Sequence, residues 1–137
     1  MFMKMNNMIN NFSVVIPVFN EEEIFLESAD KIFKICQEMN MPFEIIFSEN
    51  GSMDNTKNLI QAFIEDKDNC FTINSNYANY GLALKNGFEI AKNDIVISFD
   101  IDYFSKKFLK QSLELDEDFV ALVASKRLNE SEDERTF

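Results

Sequence analysis

The chain has 137 residues, 46% of them hydrophobic and 15 of them Phe, which is enough to build a buried core in one domain. Asp and Glu outnumber Lys and Arg by 24 to 13, and this excess of negative charge argues against binding nucleic acid through its phosphates. No His is present, so any acid–base chemistry falls to carboxylates, and a zinc site is not expected.

Apolar runs alternate with helical patterns along the whole chain. Strands are predicted near residues 13–19, 43–47, 70–74, 95–99 and 119–124. A first helix carries Phe25, Ala29 and Ile32 at helical spacing, with Glu21–Glu23 predicted in its first turn, where the helix dipole favours acids. Further helices are predicted after residue 54, at about 81–91 and at about 105–113. This alternation predicts an α/β domain with a mostly parallel sheet and helices on both faces.

Turn chemistry and cysteine spacing add three local predictions. Gly51 is predicted to adopt a positive φ, and Ser52 or Asp54 to cap a helix whose buried face includes Ala62. Cys36 and Cys70 are far apart and form no CxxC pattern, so we expect small core residues in a reducing compartment.

No apolar run of about 18 residues occurs, so no membrane span is expected, and the protein is predicted to be cytoplasmic.

Asp100 and Asp102 follow the apolar strand at 95–99. Side chains two residues apart on an extended backbone point to the same side, so both acids are predicted to face one ligand. Clustered carboxylates at the edge of an apolar core suit a hard divalent cation. The alternative is that they form a solvated strand end or the cap of the helix that starts at Ser105.

Polar residues follow four of the predicted strands. They lie in the segments 17–21, 48–52, 100–102 and 125–127. The carboxyl ends of parallel strands share one edge of a sheet, and ligands of such sheets bind there. The pattern therefore predicts a binding site at this edge.

Five segments in order resemble the nucleotide-binding half of the family 2 glycosyltransferases, of the inverting GT-A type. Ser13–Glu21 is similar to the opening strand that ends in Pro-x-Tyr/Phe-Asn-Glu, and 44–56 is similar to the strand and Asp-Asp-Gly-Ser-x-Asp turn that follow. Residues 79–91 resemble the helix after strand three, Asp100-Ile-Asp102 takes the place of the DxD motif, and 125–128 that of a Ser-Arg segment. The likeness is greatest to the polyprenyl- and dolichol-phosphate sugar transferases.

The resemblance implies a GT-A, Rossmann-like fold and transfer of a sugar, with inversion, from a UDP- or GDP-sugar. The acceptor would be a polyprenyl or dolichyl phosphate at the cytoplasmic membrane face, or another hydroxyl. Asp102, the implied catalytic residue, would hold Mg²⁺ or Mn²⁺ against the donor diphosphate with the help of Asp100. The residues implied to bind the nucleotide part are Pro17, Phe19, Asn20 and Glu21 around the base and ribose, Glu49 at the nucleobase, and Lys126 or Arg127 at the phosphates.

The chain also departs from the family pattern. Asn50 replaces the second Asp of the turn motif, and Leu82 replaces a residue that is frequently basic. The family normally continues with an acceptor-binding half, so we expect 1–137 to be one donor-binding domain that is truncated before it. The oligomeric state is left open.

Two other functions compete with this interpretation. A sugar nucleotidyltransferase uses a carboxylate-bound metal on a related sheet, but normally opens with a Gly-rich basic loop, whereas no Gly occurs before Gly51. A non-catalytic module that binds a nucleotide sugar or a protein is the other alternative. The basic pair at Lys126 and Arg127 could equally be solvated.

Overall fold

The computed structural model describes residues 9–115, in which four strands alternate with four helices. The strands are β1 (Phe12–Val18), β2 (Phe43–Glu49), β3 (Cys70–Asn74) and β4 (Val96–Ser98). The helices are α1 (Phe25–Gln37), α2 (Thr56–Ile64), α3 (Tyr80–Ile90) and α4 (Lys106–Leu113). The predicted fifth strand at 119–124 lies outside the described residues.

The four strands form one parallel sheet in the order β3-β2-β1-β4. The chain adds β2 and β3 on one side of β1 and then crosses over to place β4 on the other side. The order therefore reverses between β1 and β4, which is the position where open parallel sheets bind ligands. The mostly parallel α/β sheet expected from the sequence is confirmed.

Helices cover both faces of the sheet, because alternate residues of each strand point to opposite sides. On one face, the core joins even-numbered residues of β1 to α1, α2 and α4, with Phe12, Val14, Ile16, Ile32, Ile60 and Leu109 among its members. On the other face, Val15 packs against α3 at Gly87. A Cβ on Gly87 would lie 2.4 Å from Cγ1 of Val15, so this close approach requires glycine.

Phenylalanine rings form the centre of the larger core layer. Phe25 of α1 packs edge to face against Phe47 of β2 and Phe63 of α2, with ring centroids 5.2 and 6.0 Å away. Such pairs contribute about 0.5–1.5 kcal/mol beyond the burial of their area. The buried face of α2 consists of Thr56, Ile60 and Phe63, whereas Ala62, predicted on that face, is exposed.

Both cysteines are free and buried, as predicted for core residues. Burial raises the pKa of each thiol to about 12, so both stay protonated at neutral pH. Within residues 9–115, no helix is long and apolar enough to cross a membrane.

The start of α1 differs from the prediction. The helix begins at Phe25, after a turn in which the N–H groups of Ile24 and Phe25 both donate to the Glu21 carbonyl, at 3.2 and 2.9 Å. Glu21–Glu23 therefore lie in the loop before the helix, and the acid in its first turn is Glu27.

Candidate functional site at the carboxyl edge of the sheet

The strands β1 and β4 part at Pro17. The Ser13 N–H donates to the Ile95 carbonyl at 2.8 Å and the Phe99 N–H donates to the Val15 carbonyl at 3.2 Å, so the odd-numbered residues of β1 bond towards β4. Pro17 is the next such residue, and it has no N–H to offer. Pairing with β4 ends at Val15, and a gap opens between the two strands above it.

Four loops border this edge of the sheet, and we call them together the rim: 19–24 after β1, 50–55 after β2, 75–79 after β3 and 99–105 after β4. Asn20 joins the first two loops. Its N–H donates to Ser52 Oγ at 2.9 Å, and its Oδ1 accepts from the Met53 N–H at 2.8 Å. Asn20 has φ +50°, a region that asparagine tolerates better than most residues.

The next two residues extend the junction of the first two loops. The Glu21 N–H donates to Thr56 Oγ1 at 2.9 Å, and the Glu22 N–H donates to Asp54 Oδ2 at 3.3 Å. Asp54 also accepts from the Thr56 N–H at 2.9 Å, but the N-cap of α2 is Asn55, which makes no side-chain capping bond. The prediction that Ser52 or Asp54 is the N-cap is therefore wrong, and Ser52 bonds Asn20 instead. Desolvation acts to raise the pKa of Asp54, but the hydrogen bonds from Thr56 and Glu22 outweigh it and lower that pKa.

Glu49, at the end of β2, shapes the turn that follows it. Its side chain is buried, and its carboxylate accepts from the Ser52 N–H at 2.6 Å and from the Gly51 N–H at 3.2 Å. Gly51 has the predicted positive φ, +75°, and a Cβ there would lie 2.7 Å from the Tyr77 carbonyl carbon. The side chain is only 2% exposed, and its contact with a nucleobase remains a prediction.

Asn50 joins the second loop to the third. Its N–H donates to the Val18 carbonyl at 2.8 Å, and its Oδ1 accepts from the Asn79 N–H at 2.7 Å. Asn79 is in turn the N-cap of α3, because its Oδ1 accepts from the Leu82 N–H at 3.0 Å. The amide that replaces an aspartate of the family motif thus ties β2 to the start of α3.

Asp100 and Asp102 lie in a turn and not on an extended strand. The Tyr103 N–H donates to the Asp100 carbonyl at 3.1 Å, and the Tyr80 hydroxyl donates to Asp100 Oδ1 at 2.8 Å. Burial, followed by this bond to a carboxylate, raises the pKa of Tyr80 to about 12. The extended geometry on which the shared-face prediction depended is absent, and Asp100 is engaged with α3.

Glu21 and Asp102 approach one another across the gap between the first and fourth loops. Partial burial raises the pKa of Glu21, and the negative charges of Asp102 and then Asp54 raise it further. Glu21 is half-buried and Asp102 is exposed. Among residues 9–115, neither carboxylate has a hydrogen bond or ion pair to its side chain. Hydrogen bonds therefore join the first loop to the second and the second loop to the third. Between the first and fourth loops, the interaction is instead the repulsion of two like charges, Glu21 and Asp102.

The carboxylates at this gap fit a hard dication that binds together with an anionic ligand. In the described part of the chain, no group of three or more Asp, Glu or Cys side chains could hold a metal by itself. Mg²⁺ in phosphate-binding sites commonly takes one or two carboxylates and completes its shell with phosphate oxygens and water. An exposed Asp102 beside Glu21 supplies a donor set of that kind.

The other predicted site residues occupy different settings. Pro17 is buried under the gap, Phe19 is 42% exposed at the end of β1, and Lys126 and Arg127 lie outside the described residues. Sequence reasoning missed Tyr80 and Thr56, the first residues of α3 and α2, as hydrogen-bond partners of the rim. Tyr80 lies within the recognised 79–91 segment, but its partner is 20 residues away, a pairing that only the fold reveals.

Comparison with known proteins identifies the family. Residues 13–137 match the family model described as Glycosyl transferase family 2, and the chain belongs to that family. It is 35% identical over 97 residues to undecaprenyl-phosphate 4-deoxy-4-formamido-L-arabinose transferase of Proteus mirabilis, and 36% identical over 93 residues to the Pseudomonas fluorescens protein of the same name. These alignments cover 69% and 66% of this chain but only 29% and 27% of the relatives.

A solved structure gives the same assignment of the fold. The crystal structure of S. aureus TarS superposes with a TM-score of 0.59 at 22% identity, over 74% of this chain and 18% of that one. The GT-A, Rossmann-like fold predicted from the sequence is confirmed.

Proposed function

We propose that this member of glycosyl transferase family 2 is the donor-binding part of an enzyme that transfers a sugar, with inversion, from a UDP- or GDP-sugar to a polyprenyl phosphate. The relatives named above are undecaprenyl-phosphate sugar transferases, which supports a lipid phosphate as the acceptor class. The chain spans about 29% of the length of the Proteus relative, and under this proposal it supplies the donor side of the reaction.

The observation that carries the proposal is the pair of carboxylates at the switch point. Glu21 lies in the loop after β1 and the exposed Asp102 in the loop after β4, and partial burial together with the charge of Asp102 raises the pKa of Glu21. An acidic protein needs a metal ion or a local basic group to hold a diphosphate, and a cation beside Asp102 would reduce the repulsion between both carboxylates and the ligand.

Each residue then has a distinct task. Phe19 offers an exposed ring for stacking on the nucleobase, and Glu21 accepts a hydrogen bond from a ribose hydroxyl. Asp102 binds Mg²⁺ or Mn²⁺, and Asn20 keeps the loop that carries Phe19 and Glu21 against the second loop. When bound, the metal supplies charge neutralisation to the departing nucleoside diphosphate.

The backbone of the first loop argues against the nucleotidyltransferase alternative. A phosphate-binding loop offers free backbone N–H groups to the phosphates. Here the N–H groups of Asn20, Glu21 and Glu22 already donate to side chains of the second loop. A donor diphosphate would therefore be held through the cation at Asp102 and not by this loop.

Calorimetric titration with UDP, GDP and their sugars, with and without Mn²⁺, tests the proposal. We expect one nucleotide to bind measurably in Mn²⁺ and at least tenfold more weakly in EDTA. Binding that is independent of the metal, or the absence of binding by either nucleotide, would contradict the proposed donor site. Incubation of the bound donor with undecaprenyl phosphate then asks whether the chain transfers sugar by itself.

A further inference from the structure

The Tyr80 hydroxyl connects helix α3 to the turn that carries both aspartates. Tyr80 is the first residue of α3, and its hydroxyl oxygen lies 2.8 Å from Asp100 Oδ1. The tyrosine is 54% exposed, so the bond lies at the border of the gap and not in the core. No part of the donor-binding mechanism described above uses this tyrosine.

The bond makes the two aspartates unequal. One carboxylate oxygen of Asp100 accepts from Tyr80, and its carbonyl accepts from the Tyr103 N–H to close the turn. Asp102 follows in the same turn but lies on the side of Glu21, as their electrostatic interaction indicates. Asp100 is therefore anchored to α3, whereas the Asp102 side chain is exposed and, among the described residues, makes no hydrogen bond or ion pair.

We propose that Tyr80 is a positioning residue for the metal site, holding Asp100 against α3 so that the turn presents Asp102 alone as the carboxylate of this motif that contacts the cation. This inference rests on the proposed function, because it assumes that a cation binds at Asp102. It assigns to Asp100 the task of orienting the turn instead of direct ligation.

The physical basis is the order that a charge-assisted hydrogen bond imposes before the ligand arrives. A hydroxyl that donates to a carboxylate forms a stronger bond than a neutral pair does. An ordered turn loses less conformational entropy when the metal and nucleotide bind, and the smaller entropy loss makes binding tighter. Without the hydroxyl, the turn would fluctuate, and Asp100 would compete with Asp102 for the cation.

Tyr80→Phe tests the inference, because it removes the hydroxyl and keeps the ring. The readout is Mn²⁺ affinity in the presence of saturating UDP or GDP, whichever the unmodified chain binds, followed by the electron paramagnetic resonance of free Mn²⁺. We expect affinity to fall about fivefold, the typical net effect of losing one hydrogen bond. Tyr77→Phe is the matched control: an exposed tyrosine in the preceding loop, for which no change is expected.

Two substitutions of Asp100 separate positioning from ligation. Asp100→Asn keeps an oxygen that accepts from Tyr80 but removes the charge that strengthens the bond, so affinity should fall less than in Tyr80→Phe. Asp100→Ala removes the acceptor and should match Tyr80→Phe, and the double variant should be no weaker than either single one.

The outcomes distinguish this inference from the proposed function. If the unmodified chain binds Mn²⁺ with nucleotide and Asp102→Asn abolishes that binding, the proposed function stands. The inference is then overturned if Tyr80→Phe binds like the unmodified chain, or if Asp100→Asn loses as much affinity as Asp102→Asn. If the unmodified chain binds no Mn²⁺ with either nucleotide, the donor site itself is refuted and the inference falls with it.

Discussion

The two ends of the sheet each hold glutamates, but they treat the negative charge in opposite ways. At the amino end, Glu44 is 6% exposed and one carboxylate oxygen accepts from Ser13 Oγ at 2.7 Å and from the Lys92 N–H at 2.6 Å. The Asn93 N–H donates to the same serine hydroxyl at 3.3 Å. At the carboxyl end, the Glu21 carboxylate faces Asp102 with no donor between them among the described residues.

The comparison distinguishes carboxylates that stabilise the fold through hydrogen bonds from carboxylates that lack such bonds and suit a ligand. Glu44 closes the connection from α3 into β4, and Glu49 closes the turn after β2, so both are satisfied by the chain itself. Glu21 and Asp102 receive no such donors, and their mutual repulsion is a cost that the fold bears. Such a cost is expected where a positively charged group is to bind.

The largest effect on stability is expected from Glu44→Ala. The substitution leaves the buried Ser13 hydroxyl and the Lys92 N–H without their acceptor, which costs about 2–4 kcal/mol in the free energy of unfolding. Urea denaturation measures this loss. Glu89→Ala, on the exposed side of α3, is the control and should change stability by less than about 0.5 kcal/mol. A loss as small as that of the control would refute the structural assignment of Glu44.

Glu49→Ala should combine a smaller loss of stability with a loss of nucleotide binding. The N–H groups of Gly51 and Ser52 are half-buried and can reach water in part, so we expect a cost of about 1–2 kcal/mol. Calorimetry should show weaker nucleotide binding, with the Mn²⁺ requirement retained. Unchanged nucleotide affinity, at protein concentrations where the variant is fully folded, would restrict Glu49 to shaping the turn.

The smallest effect is expected from Glu21→Gln, and it has the opposite sign. A carboxyl with a raised pKa in the folded state binds its proton more tightly there, so its ionisation lowers stability as pH rises through that pKa. Removing the charge should therefore raise Tm at pH 7, on the order of 1 °C for a partly solvated group, and have no such effect at pH 3. Glu23→Gln, the exposed neighbour, serves as control. A lower Tm at pH 7 would contradict the repulsion between Glu21 and Asp102.

Much of the fold could be predicted from the sequence, because the spacing of apolar residues indicates the strands and helices. The strand at 70–74 and the helices at the predicted positions rest on apolar spacing, and the positive φ of Gly51 rests on turn chemistry. The predictions of where α1 starts and of which α2 residues are buried were less accurate, because contacts between distant segments decide both. The N–H groups of Glu21 and Glu22 donate to side chains of Thr56 and Asp54 in the segment after β2, and no local pattern reveals these bonds.

The sequence predicted which loops form the site, but not which hydrogen-bond partner each residue in them has. The strand ends and the family resemblance brought Asn20, Glu21, Glu49 and Asp102 to one edge. Their partners lie about 20 to 35 residues away or within a turn of unforeseen shape, as with Tyr80 and Asp100. Sequence spacing alone therefore treated Asp100 and Asp102 as equivalent, whereas the turn engages one with α3 and leaves the other beside Glu21.

The most direct test of the central claim is the thermal stability of the chain with Mn²⁺ and nucleotide added together. A ligand that binds only the folded state raises Tm, and at a hundred times its Kd the stabilisation is about 2.7 kcal/mol. We predict a clear rise in Tm for the unmodified chain, and no rise for Asp102→Asn, whose own Tm without ligand should be unchanged or slightly higher. An equal rise in both proteins, or none in the unmodified chain, would contradict a cation site at the gap between Glu21 and Asp102.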